Sequence, residues 1–331
     1  MNSTDTVSGM RLSGRAMLAG LLLVAACAAP PAASTDLVQV RVALTPLAST
    51  LPVHIAQQNG TFARHGLRAE ITEGPDVTAF AAGLQQDRYD VVMSVPTTVI
   101  AAAARGLDVQ VVSRLQKSTA DHPGTVWITR DPAVTSIGRL RGKAVAVPAL
   151  TGQISDSLVY LLQREGVPRD DVQFVQMPFA AMVDQLKAGR IDAAVAGAPF
   201  KTAMAAQGAQ LHEDVVVESV RVATGGAVTD GMTAVLASSG RFANGHPEVI
   251  RAFRASLRDA VTYLDTHEPE AQQSLQDWLG LPQQTTQGSA RALRALDITP
   301  EDLRPYVTIA RAVGTVNRDL DVRQLVWQDG P

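Results

Sequence analysis

Two hydrophobic periods alternate along this chain, and the alternation repeats. Val38, Val40, Val42 and Leu44 fall on every second position, which predicts a half-buried strand over residues 37–44. A small polar loop over 45–52 feeds a helix to Gln58, stopped by Asn59-Gly60. Residues 144–166 repeat that order: strand, a loop with Thr151-Gly152, helix, and Gly166 as the stop. A second echo follows. Asp90 leads into Val91-Val92-Met93, then Ser94, Val95 and Pro96; Asp192 leads into Ala193-Ala194-Val195-Ala196, then Gly197, Ala198 and Pro199. Each reads as a short buried strand followed by a proline-opened helix. Two α/β units of similar order predict two similar lobes rather than a short-repeat solenoid.

The remaining pattern fills in around these units. Further strands are expected over 68–72, 109–115, 125–129, 172–177 and 232–238, and helices over 96–105, 155–165 and 179–188. Gly83 marks the end or interruption of a helix. The valine runs at 215–217 and 220–223 read as extended. From Pro247 the chain is mostly helical: 247–266, 269–278, a weaker stretch over 284–296, and 300–312. Two stretches lack either period, 117–124 and the glycine-rich 224–231. Placed as crossings between lobes, they divide the chain into lobe I, residues 37–117 with 231–331, and lobe II, residues 118–230. The C-terminal helices then belong on lobe I, and the paired crossings form a hinge on which the lobes close.

The first residues have a different character. Arg11 and Arg15 precede an apolar run over 16–26, shorter than the roughly 20 residues that span a bilayer. This is the layout of an export signal. Val24-Ala25-Ala26-Cys27 looks like a bacterial lipobox, in which Cys27 is lipidated and becomes the mature N-terminus. Residues 1–26 are therefore expected to be a lipoprotein signal peptide and 27–36 an Ala/Pro/Ser-rich tether. Cys27 is the sole cysteine, so the body of the chain has no disulfide framework, cysteine-based metal site or thiol chemistry.

A net charge of −3 gives no electrostatic footprint for nucleic acid. The six histidines, His54, His65, His122, His212, His246 and His267, show no metal-ligand spacing. Gly138, Gly142 and Lys143 imitate a P-loop, but the spacing is short, the magnesium-binding hydroxyl is missing, and the loop precedes its strand. No cofactor is expected. Asp90 and Asp192 sit at the starts of their strands, away from any site at the carboxyl ends, and read as turn or capping residues.

In open α/β sheets ligands sit beyond the carboxyl ends of strands, where helix N–H groups point. That rule selects the loops at 45–50, 94–98, 151–155, 177–179 and 197–200. From them we take Thr45, Ser49, Ser94, Thr97, Thr151, Gly152, Phe179 and Ala198 as cleft-facing candidates. Thr45 and Ser49 answer Thr151 and Gly152 in the other lobe; Ser94 and Thr97 answer Ala198. Hydroxyls at helix starts also cap their own helices, the competing role for each. No Lys or Arg occupies these loops before Lys201, so affinity for an anion rests on helix dipoles alone.

Ala56, Gly60-Thr61-Phe62, Gly66-Leu67 and Glu70 resemble the opening of bacterial substrate-binding proteins for nitrate, sulfonate, taurine and thiamine-precursor importers. Gly83, Tyr89-Asp90-Val91-Val92, Gly106, the run Ile137 to Val147, Leu186, Gly189-Arg190-Ile191-Asp192-Ala193 and the helix after Pro247 continue the resemblance. It implies a two-lobed α/β periplasmic-binding-protein fold of type II form, with the ligand cleft between lobes. It also implies delivery of a small molecule to an ABC-transporter permease; with the lipobox, the expectation is a monomeric, non-catalytic, extracytoplasmic protein held to the membrane by the lipid on Cys27. An enzyme on the same scaffold and a ligand-sensing module for a membrane receptor are the alternatives. One position departs: many relatives carry an acidic residue where this chain has Ala198.

Overall fold

Each predicted α/β unit closes into its own sheet. The computed structural model describes residues 37–75, 77–198, 200–280, 283 and 293–329. The signal and tether expected at 1–36, including Cys27, lie outside the described residues, as do Pro199 and most of the weak helix at 284–296.

The first lobe begins β1 (Val38–Leu44), α1 (Leu51–Gln58), α2 (Thr61–Arg64), β2 (Leu67–Glu73), α3 (Val77–Gln85), β3 (Val91–Ser94), α4 (Pro96–Ala104) and β4 (Gln110–Thr119). The second contains β5 (Thr125–Thr129), β6 (Ala144–Val147), α5 (Gln153–Arg164), β7 (Gln173–Gln176), α6 (Phe179–Lys187), β8 (Ala193–Gly197), α7 (Phe200–Ala206), β9 (Gln210–Asp214) and α8 (Val215–Ala223). The chain then returns through β10 (Asp230–Ser238), α9 (Gly240–Gly245), α10 (Pro247–Thr266), α11 (Glu268–Leu279), β11 (Leu293–Arg294) and α12 (Pro300–Ala312). One sheet has the order β11-β4-β10-β3-β1-β2 and the other β7-β6-β8-β5-β9. Each sheet is mixed: β1 is parallel to β2 and β3, while β10 runs antiparallel between β3 and β4. In the second sheet β6 is parallel to β7 and β8, and β5 is antiparallel to β8 and β9.

The two strand-opening aspartates make the same reciprocal pair in each lobe. Arg41 donates its N–H to Asp90 Oδ2 at 2.8 Å, and Asp90 returns its N–H to the Arg41 carbonyl at 2.8 Å. Ala144 and Asp192 repeat this, with 2.8 Å in both directions. These carboxylates clamp the starts of the β1–β3 and β6–β8 ladders, satisfying backbone groups that the ladders leave open.

Four expectations are corrected. The residues 215–223 form helix α8, not extended chain. β-branched valines favour strands by propensity, but Asp214 caps the segment, accepting from Val216 and Val217 N–H at 2.8 and 3.1 Å. Val215, Val216, Ser219 and Val220 then bury one helical face, and α8 packs against α5 and β10. Gly83 does not break α3; a Cβ there would lie 2.5 Å from the Tyr89 ring, so glycine admits that ring. β4 runs on through Thr119, into the stretch read as a crossing. Finally, the C-terminal helices do not all sit on the first lobe: α10 and α11 do, whereas α12 packs on α4 and also on α5 and α8. One continuous apolar cluster joins these elements, from Phe80, Val92 and Val99 through Leu303 and Tyr306 to Val145 and Leu158.

Candidate functional site

The antiparallel return of β10 sets the geometry. Gly231, near its start, lies opposite Ser118 near the end of β4, and Val235, farther along, lies opposite Ser94 at the end of β3. The carboxyl ends of β4, β3 and β1 and the amino end of β10 therefore share one edge of the first sheet. The ladder between β10 and β4 skips Thr233, since Met232 pairs with Lys117 and Ala234 with Gln116. Thr233 is thus the extra residue of a β-bulge, a device that re-aims a side chain.

Each of these four adjacent strands brings one buried hydroxyl without a hydrogen-bond partner to that edge. They are Ser118 at the end of β4, Thr233 in β10, Thr97 at the second position of α4 after β3, and Thr45 just past β1. Thr97 is 2% exposed and Ser118 fully buried. A buried hydroxyl with no partner forfeits the hydrogen bond that water would give it, and the row of four makes this edge the candidate site; the Ser118 hydroxyl lies against Gly124 of the crossing. From the facing lobe comes Gln153, first residue of α5 and 6% exposed. Its Nε2 donates to the Met232 carbonyl beside the bulge, and its Oε1 has no partner.

The predicted residues occupy this edge and its counterpart. Thr45 and Thr97 supply two of the four hydroxyls. Ser49 is buried in a 3-10 turn over Ala48–Thr50, and Ser94 ends β3, also buried. In the turn, the Thr50 hydroxyl donates to the Thr45 carbonyl at 2.7 Å and accepts from Leu47 N–H at 3.0 Å, so Thr50 serves the loop itself. In the second lobe Thr151 is exposed, and Gly152 is half-buried with φ 99°, a conformation only glycine adopts readily. Phe179 opens α6 half-buried and stacks on Phe200, ring centroids 5.9 Å apart. Ala198 is exposed just beyond β8. Thr151, Gly152, Phe179 and Ala198 thus follow β6, β7 and β8, three adjacent strand ends. The selection passes over Ser118, Thr233 and Gln153. The first two belong to strands whose neighbours are distant in sequence; Gln153 stands in a selected loop beside Thr151 and Gly152, and its amide carries the signal.

The cations nearest the crossings are engaged. Arg114 lies 3.7 Å from Asp230 and 3.4 Å from Asp302, and Lys117 lies 3.8 Å from Asp230. Lys201 Nζ donates to the Pro123 carbonyl; burial pulls its pKa down, and the Asp214 carboxylate pulls it back up. Asp214 is the anchor of this region. Its buried carboxylate accepts from Gly124 at 2.6 Å and Thr125 at 2.9 Å as well as from the two α8 amides. Burial raises its pKa and those four N–H groups oppose the rise. The returning crossing meets the same point, since a Cβ on Gly231 would lie 3.1 Å from Val217 N. Both crossings are therefore packed at the start of α8.

Two mixed-sheet lobes, joined by paired crossings and facing each other across polar strand ends, define the fold of periplasmic binding proteins. The model of the NMT1/THI5-like family matches residues 48–271, and the chain belongs to that family. It is 25% identical over 309 residues to a protein of Brachyspira hyodysenteriae assigned by name to the periplasmic binding proteins of ABC transporters, covering 88% of this chain and 83% of that one. Among solved structures it is similar to the periplasmic aliphatic sulphonate binding protein SsuA of Escherichia coli, with TM-score 0.72, 17% identity, and coverage of 88% of this chain and 98% of that one. The periplasmic nitrate-binding protein NrtA of Synechocystis PCC 6803 gives TM-score 0.67 at 14% identity, covering 87% and 84%.

Proposed function

We propose that this chain is the solute-binding component of an ABC importer. It captures a small polar or anionic organic solute, sulfonate-, nitrate- or thiamine-precursor-like, and presents it to a membrane permease. The carrying observation is the row of unpartnered hydroxyls on Ser118, Thr233, Thr97 and Thr45, faced by Gln153 of the opposite lobe. A solute bound there exchanges these unmet hydrogen bonds for real ones, which favours the liganded state. The names of the relatives support binding rather than catalysis.

In this reading lobe I is built on residues 37–117 and 231–331 and lobe II on residues 118–230, with α12 reaching across the seam onto α5 and α8. The lobes rotate about the crossings, Asp214 holds the hinge strands, and the apolar contacts of α12 with α5 and α8 repack as they do. The candidates Thr45, Ser49, Ser94, Thr97, Thr151, Gly152, Phe179 and Ala198 line the cleft. Cys27 carries a lipid that tethers the monomer to a bacterial membrane, in the periplasm or at the cell surface.

A thermal-shift screen tests the central claim, because a ligand bound only by the folded state raises the melting temperature. A hit recovered chemically unchanged after long incubation supports transport; a hit consumed in the incubation overturns it in favour of an enzyme. Intact mass spectrometry of protein from its native host tests the anchor, and an unlipidated N-terminus at another residue refutes it.

A further inference from the structure

Resting on that reading, we infer that the solute must donate a hydrogen bond to the Gln153 side-chain oxygen, so it carries an N–H or O–H group and is not an acceptor-only anion. The polarity of this contact is fixed by the fold. Amide oxygen and nitrogen are distinguished by their hydrogen bonds, and here the partner of one end is a carbonyl. The Met232 carbonyl can only accept, so the end that touches it is Nε2. Met232 is itself held in place, its N–H donating to the Tyr306 hydroxyl. The other end of the amide is thereby an acceptor, buried and unpartnered.

The hydroxyls of Thr45, Thr97, Ser118 and Thr233 rotate and serve either polarity, so they do not discriminate. Gln153 does. The unmet acceptor on Gln153, at the start of α5, gives the lobe II wall a need for a donor. Nitrate and unsubstituted sulfonates offer none near neutral pH. The amides at the start of α5 take acceptor atoms, so the fitting class is a solute with both kinds of group, such as an amide, an amine-bearing acid or an aminated heterocycle.

The test is calorimetry on the full chain with matched pairs: propane-1-sulfonate against 3-aminopropane-1-sulfonate, benzoate against benzamide, nicotinate against nicotinamide, and nitrate alone. The expected result is that the donor-bearing member of at least one pair binds about tenfold or more tightly than its partner, the scale of one hydrogen bond to a buried group. In Gln153→Met that ratio should collapse, while a merely structural role would weaken both members alike and keep the ratio. Equal or tighter binding of the acceptor-only members, or an unchanged ratio in folded Gln153→Met, overturns the inference and leaves solute binding standing. If Gln153→Met does not fold, the wild-type ratio decides. Binding of no probe counts against both the inference and the reading beneath it.

Discussion

The Thr315 hydroxyl donates to Asp156 Oδ1 at 3.0 Å, tying the segment after α12 to the first turn of α5. Because α12 also packs on α4, this bond belongs to the seam where the lobes meet. Burial pushes the Asp156 carboxyl from 3.8 up to about 6, against the pull of Thr315 and the Gly152 backbone.

A raised folded pKa means that the protonated form is the one the fold favours. The contribution of Asp156 to stability is therefore fully present below the unfolded value and lost as pH rises from about 4 through about 6, an order of about 2–3 kcal/mol in all. Asp156→Asn removes the titration. Urea unfolding should show the variant gaining about 1–3 kcal/mol relative to wild type at pH 8 compared with pH 4. An identical difference at both pH values would refute the assignment.

The paired clamps at Asp90 and Asp192 should differ in weight. Asp90 is 7% exposed and also holds the Arg41 guanidinium at 2.6 Å; Asp192 is 45% exposed, with Lys143 at 3.7 Å. Asp90→Ala leaves a buried N–H and a cation unpaired and should cost about 1–3 kcal/mol. Asp192→Ala should cost under about 1 kcal/mol, since water replaces the carboxylate. Denaturant midpoints measured side by side check the ranking, and a reversed order would contradict it.

Asp214→Ala should be more severe than either. Four backbone donors on β5, its approach and α8 converge on that one carboxylate. Their loss should cost about 3 kcal/mol or more. Hydrogen exchange should quicken at Gly124, Thr125, Val216 and Val217 together, because they lose a shared acceptor. Faster exchange confined to α8 would mean the hinge strand is held by something else.

How far the sequence discloses this molecule follows from the range of the forces involved. That Asp90 and Asp192 serve the fold is legible from their place just before short apolar strands, but the clamps themselves are not: each carboxylate takes an N–H from a strand 48 or 49 residues earlier. The rule that sites follow strand ends reaches Thr45 and Thr97 from their local place in the sequence. Thr233 is out of reach: its bulge exists only once β10 lies beside β4, a pairing across more than a hundred residues whose register no local pattern encodes. Helix α8 is obscured by valine propensity, which Asp214 and tertiary burial override. Gln153 stands in a selected loop, but its unmet oxygen emerges only when Met232 arrives from the other sheet.

Thr97 offers the cleanest separation of function from fold. It is nearly fully buried at the start of α4, and its hydroxyl has no partner. Thr97→Val keeps the shape and replaces that hydroxyl with a methyl group. For a hydroxyl that capped its own helix, the change would cost about 1 kcal/mol. For a hydroxyl held ready for a solute, the ligand-free protein loses only an unmet polar group, so it should hold steady or gain up to about 1 kcal/mol. Affinity for the solute should instead fall by about threefold to tenfold, one neutral hydrogen bond. Melting curves and calorimetry on the same preparation read both quantities. A variant that melts lower yet binds unchanged would assign Thr97 to the fold and remove it from the cleft, because the two roles demand opposite signs from a single substitution.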